Sequence, residues 1–171
     1  WRDRGGRTPW RQRRVMATLN TLLAPDLIKP GTQWTLLSNV NGYRRPTGDN
    51  LTTQGRHGRS IRLLERRGNR LLVQLLEDGY RCWMDRDALI GRAEQRAVWQ
   101  PTLLPATDIQ RRLPAVLAWS QRAQQQPNNY LWGGTTEPNM DCSGLVQLAF
   151  ASQDIWICLL YTSPSPRDSI A

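Results

Sequence analysis

Residues 130–150 read YLWGGTTEPNMDCSGLVQLAF. A Gly133-Gly134 turn and a polar loop containing Pro138 lead into Asp141-Cys142-Ser143-Gly144, and an apolar pattern follows at once. Leu145 and Ala149 lie four residues apart, as do Val146 and Phe150, which predicts a helix with these side chains on one buried face. Asp141 suits the N-cap and places Cys142 in the first turn. The unpaired N–H groups and the positive end of the helix dipole there stabilise a thiolate. Such a position lowers a thiol pKa from about 8.5 into roughly the 3.5–7.5 range. Spacing alone leaves two readings of Cys142 open, an activated nucleophile and a small buried hydrophobe.

Tyr130-Leu131-Trp132-Gly133-Gly134 followed by Asp141-Cys142-Ser143-Gly144-Leu145-Val146-Gln147 resembles the NlpC-type family of papain-like bacterial cell-wall cysteine peptidases. The resemblance runs from about Leu113 to Trp156. A weaker one reaches back through a small barrel from about Thr32 to Gly91. The arrangement is most similar to bacterial γ-D-glutamyl-L-diamino acid endopeptidases, in which a barrel precedes the catalytic domain. It implies an α+β chain, with a small N-terminal β-barrel of Src-homology-3-like type before the helical first part of a papain-like domain. It also implies Cys142 as the nucleophile that hydrolyses the γ-D-glutamyl–diamino acid bond of peptidoglycan stem peptides, with Tyr130 as the motif tyrosine beside the oxyanion. Glu77-Asp78-Gly79-Tyr80 followed by Trp83 resembles the barrel segment that closes the substrate cleft in that subgroup. The resemblance therefore assigns Tyr80, Asp141 and Ser143 to the free α-amine of an L-Ala-γ-D-Glu-diamino acid peptide. On the residues alone, Tyr80 is as open to hairpin packing as to function, whereas for Asp141 a functional role is preferred to capping alone.

The same family takes its catalytic base, and the group orienting it, from strands downstream of the cysteine. No histidine follows Cys142, and the single His57 lies in the barrel half, so this chain as it stands is expected to be inactive. The rival from another class is a non-catalytic module that holds cell-wall peptide. No metal or organic cofactor is expected. Cys82, Cys142 and Cys158 lack metal-site spacing, and their odd number fits a reducing compartment.

Lys plus Arg minus Asp plus Glu is 23 − 14 = +9 over 171 residues, which raises nucleic acid or a membrane surface as partners. The distribution argues against both: residues 1–15 hold six Arg and one Asp, leaving +4 for the rest, and carry no recognisable recognition fold. No run approaches the roughly 18 apolar residues of a spanning helix. Trp1 to Val15 has no apolar stretch or small-residue cleavage site, so no secretory signal is visible and a cytoplasmic location is expected. Hydrophobic content of 39% and eight Trp are enough for a packed core.

Five segments follow. Residues 1–31 form a basic extension, expected to be disordered, with a possible true start at Met16. Residues 32–92 form the barrel, with strands at Trp34–Leu37, Ser60–Leu64, Arg70–Leu76 and Tyr80–Met84 and turns at Arg67-Gly68-Asn69 and Asp78-Gly79. Asn39 to Arg59 reads as a polar loop in which His57 is solvated, and Arg62, Arg66, Arg67 and Arg70 as a solvated strand face. Residues 93–107 are a linker, and 108–156 the partial peptidase domain. That domain opens on a capping box at Thr107-Asp108-Ile109-Gln110, with Leu113, Val116, Leu117, Ser120 and Ala123 on its inner face and Pro114 as a kink or a new start. Residues 157–171 depart from the family pattern, and CLLYTSPSPRDS over 158–169 reads as a non-native tail.

Overall fold

The computed structural model describes residues 20–157. The basic arm before residue 20 and the tail after residue 157, with the expectations attached to them, lie outside these residues.

Seven strands make one antiparallel sheet: β1 (Gln33–Leu36), β2 (Val40–Tyr43), β3 (Leu51–Gly55), β4 (Ser60–Arg67), β5 (Arg70–Leu75), β6 (Arg81–Asp85) and β7 (Ala93–Glu94). Their order is β3-β2-β6-β5-β4-β1-β7. A one-turn helix α1 (Arg86–Leu89) joins β6 to the segment before β7. The β4–β5 hairpin turns at Gly68, where φ is 56° and a side chain would be strained. Alternation supplies the core. Ile61 and Leu63 of β4 and Leu71, Val73 and Leu75 of β5 are at most 2% exposed, and each such side chain contributes about 1.5–3 kcal/mol on burial.

The sheet curls until its ends meet. Gly55 on edge strand β3 faces Leu36 of β1 so closely that an added Cβ would stand 2.5 Å from Leu36 Cδ1 and 2.7 Å from Met84 Cε. Gly58 N donates to Leu36 O and Leu36 N donates to Arg59 O, at 2.8 and 2.9 Å, which extends the β1–β4 ladder into the turn after β3. The approach of Gly55 to Leu36 thus folds β3 back over β1 in the manner of a small barrel.

Three expectations for this half need correction. The stretch read as a polar loop contains β2 and β3, whose inward positions include Gly42, Thr53 and Gly55, so no apolar alternation announced them. Residues 20–31, expected in the extension, pack on the barrel: Leu23 is 1% exposed, and its N–H donates to Ala93 O at 2.8 Å. Arg70, expected in solvent, is buried. It donates to Asp85 at 3.0 Å and to the carbonyls of Arg45 and Gly48, and its guanidinium lies over the Tyr43 ring, fixing the β2–β3 loop.

The second half contributes α2 (Ala106–Gln125) and α3 (Cys142–Ala151). The capping box does not form. Helix α2 starts after Pro105 with no side-chain cap, and Asp108 pairs with Arg111 instead. Pro114 sits inside one continuous helix. Of the expected inner face, Val116 and Ala123 are buried, whereas Leu117 is 64% exposed. Val116 meets Ala149 and Ile155, with Trp119 and Phe150 packed around them. In α3 the buried positions are Gly144, Gln147, Leu148, Ala149 and Ala151, and Val146 of the expected face is 48% exposed.

Candidate active site

The cysteine stands where the sequence placed it, at the first position of α3, and it is exposed. Asp141 caps the helix with one carboxylate oxygen, which accepts from Gly144 N and from Ser143 Oγ, both at 2.7 Å. The other oxygen accepts from Gly133 N at 2.9 Å. A carboxylate has about four acceptor sites, so this one is held by three donors with capacity for another.

The glycines make that geometry possible. Gly133 has φ 74°, and its α-carbon packs on the β3 backbone at Leu51–Thr52. Gly134 O accepts from Asp141 N at 3.1 Å and lies directly against Gly144, where a Cβ would collide with it. Thus the turn before the loop and the first turn of α3 interlock backbone to backbone.

A cleft of about 640 Å³ runs between the two halves. Tyr130, Trp132, Asp141, Cys142 and Ser143 form one wall, and Arg44, Asp49, Asn50, Thr52 and Tyr80 the other. A shallower hollow of about 320 Å³ adjoins Cys142 on the side of Leu145 and Met140. All five residues singled out in the sequence (Tyr80, Tyr130, Asp141, Cys142, Ser143) therefore meet at one cleft. Tyr80 is 7% exposed and its hydroxyl shares a 2.6 Å hydrogen bond with Thr52 Oγ1. Tyr130 is 64% exposed; partial desolvation, then the neighbouring Cys142 and Asp141, raise its phenol pKa and keep it a hydrogen-bond donor.

His57 is exposed in the β3–β4 turn, where its N–H donates to Asn39 Oδ1 at 2.9 Å, and it does not line the cleft. Among the described residues no group of three or more His, Cys, Asp or Glu could hold a metal ion, and no helix is long and apolar enough to cross a membrane. Cys82 is a core residue, its thiol pushed up to about 12 by burial.

Sequence reasoning missed the residues that join the halves. Thr135 caps the open edge of β3: its hydroxyl donates to Gln54 O at 2.9 Å and accepts from Gln54 N at 2.8 Å. Gln54 Oε1 accepts from Thr135 N at 3.1 Å and from Thr136 Oγ1 at 2.7 Å. Deeper in, Gln147 Nε2 donates to Asp78 Oδ2 at 2.6 Å. Arg59 Nη2 lies 2.8 Å from the same oxygen, an ion pair without hydrogen-bond alignment. The available signal was a polar Gln147 inside an apolar helical run.

Comparison with known proteins agrees with this division. The family model of the bacterial dipeptidyl-peptidase Sh3 domain matches residues 42–89, and that of the NlpC/P60 family, a family of cysteine peptidases, matches residues 127–161. Solved structures of NlpC2 and NlpC1 from Trichomonas vaginalis are similar at 18% and 19% identity, each with a TM-score of 0.30 over 74% of this chain. The chain spans 43% and 41% of those two structures, under half of their length. No curated protein matches it.

Proposed function

From a chain that joins a bacterial dipeptidyl-peptidase Sh3 domain to an NlpC/P60 segment, we propose the substrate-holding and nucleophilic part of a cysteine endopeptidase for the γ-D-glutamyl–diamino acid bond of peptidoglycan stem peptides. One observation carries this reading: an exposed cysteine at a helix start shares a single cleft with a carboxylate and with a tyrosine supplied by the barrel.

The thiolate of Cys142 attacks the γ-carbonyl carbon, and the C–N bond to the diamino acid breaks to leave a thioester that water then hydrolyses. The first-turn N–H of Cys142 and the Tyr130 hydroxyl face the oxygen that gains charge. At the barrel end of the cleft, the remaining acceptor capacity of Asp141 receives the ammonium of the L-Ala residue, beside the Tyr80 and Ser143 hydroxyls. An acetylated amine carries no charge to meet that carboxylate and forfeits the charge-assisted hydrogen bond an ammonium would make.

The attack needs a base to take the thiol proton and return it to the leaving amine. The only histidine in these 171 residues is His57, outside the cleft, so under this reading no histidine among them serves as the base. That same observation favours a second reading, in which the cleft holds stem peptide without cutting it.

An L-Ala-γ-D-Glu chloromethyl ketone, whose chloride a thiolate displaces, tests the proposal without requiring a base at alkaline pH. Alkylation should map to Cys142 by mass spectrometry, saturate with concentration, and slow when free L-Ala-γ-D-Glu-meso-diaminopimelate is added. Labelling that neither saturates nor is protected would remove the substrate assignment.

A further inference from the structure

We propose that the buried Asp78–Gln147 pair fixes the separation of Tyr80 from Cys142 across the cleft, and thereby makes the cleft selective for a free amine. The inference rests on the functional reading above and extends it to two positioning residues that touch no substrate.

Asp78 uses its two oxygens on the two halves of the molecule. Oδ1 accepts from Tyr80 N at 3.0 Å, holding the end of the hairpin that carries the tyrosine. Oδ2 accepts from Gln147 Nε2 at 2.6 Å, on α3. Gln147 lies one helical turn after Ser143 on the same face, so a single carboxylate links the barrel wall to the turn bearing the nucleophile. Arg59 supplies the balancing charge on Oδ2. It also pairs with Glu77 at 3.2 Å and lies 5.2 Å from the centroid of the Trp156 ring.

Stability is a poor explanation for such a cluster. Asp78, Arg59 and Gln147 are 8%, 4% and 3% exposed, and well-packed apolar side chains in place of a buried ion pair are often as stable or more so. What the polar set supplies is geometry, because a hydrogen bond weakens steeply once its distance and angle depart from the optimum. Another contact between the halves, Gln54 with Thr135, holds the loop before Asp141 and involves neither the Tyr80 hairpin nor α3. The Asp78 pair, by contrast, spans the Tyr80 hairpin and α3 directly.

The test compares Cys142 alkylation by the L-Ala-γ-D-Glu chloromethyl ketone and by its N-acetyl form, with iodoacetamide as a probe that ignores the cleft. Cys82, buried in the barrel core, reports folding by staying unlabelled. The parent should favour the free amine by at least about tenfold, the scale of one hydrogen bond between charged groups. Equal parental rates would overturn the functional reading and this inference with it. Given parental selectivity, Gln147→Leu should bring the ratio close to one while its iodoacetamide rate stays within about twofold of the parent and Cys82 stays protected. A ratio unchanged in Gln147→Leu would overturn the inference and leave the functional reading standing. The charge-conserving exchange Asp78→Asn with Gln147→Glu reverses the donor and acceptor and keeps a carboxylate beside Arg59, so it should restore selectivity. If Gln147→Leu exposes Cys82, the exchange variant decides: selective and protected supports the pin, protected but unselective overturns it.

Discussion

Asp141 has two separable duties, one to its helix and one to the cleft. Its carboxylate caps α3 through Gly144 N and anchors Gly133, and its remaining acceptor capacity is what the proposal assigns to a substrate ammonium. Asp141→Asn keeps a capping oxygen, whereas Asp141→Ala removes it at a cost of about 0.5–2 kcal/mol. Thermal melts should therefore distinguish the two variants, while both lose preference for a free amine. Cys82 supplies a prediction of a different kind. Burial pushes its folded-state pKa up to about 12 from an ordinary thiol value of 9.0, with Asp78 adding to the rise and Arg59 opposing it. A raised pKa stabilises the folded state fully below pH 9, and stability falls as the unfolded thiol ionises first, by about 1.4 kcal/mol per pH unit until the folded pKa is passed. Denaturant midpoints from pH 8 to 11 should show this slope, and Cys82→Ala should lack it. In the native state iodoacetamide should leave Cys82 unmodified while Cys142 reacts.

At the scale of elements, backbone approach decides more than side-chain pattern. Gly144 is helical, and Ala would ordinarily stabilise a helix interior by about 1 kcal/mol over Gly. Here a Cβ collides with Gly134 O, so Gly144→Ala should destabilise instead, by the roughly 1–3 kcal/mol of overpacking. A midpoint equal to or above the parent's in chemical denaturation would show that the interlock is loose. The same consideration explains what could be read from the sequence. Strands β4, β5 and β6, with Ile61, Leu63, Val73 and Met84 alternating inward, were legible, as were the Asp141 cap and the Gly133-Gly134 turn. Strands β2 and β3 were not, because Gly42 and Gly55 face inward where a Cβ would strike Cys82 or Leu36, and glycine leaves no hydrophobic signal. The orientation of α3 was misread for a related reason. Its periodicity fits several faces, and the choice is made by Gln147 reaching Asp78, a contact 69 residues away in sequence. The local trace of such a pair is one polar residue in an apolar run, and it does not say where the partner lies.

The whole molecule is a barrel closing one side of a cleft whose other side is a cysteine-bearing helix start. Neither half holds the proposed amine site alone: Tyr80 comes from the barrel, Asp141 and Ser143 from α3 and its cap. Catalysis by these 171 residues is a separate matter, since the single histidine is exposed in the β3–β4 turn. The chain and its Cys142→Ala variant should therefore give the same background release of diaminopimelate, and turnover by the parent alone would reveal a base at the cleft. Recognition of the free amine is read without chemistry by calorimetric titration of Cys142→Ala with L-Ala-γ-D-Glu-meso-diaminopimelate and with its N-acetyl form. The free peptide should bind at least about tenfold tighter than the acetylated one, with Asp141→Asn abolishing the difference. Equal affinity for the two peptides, or none for either, would rule out the amine site.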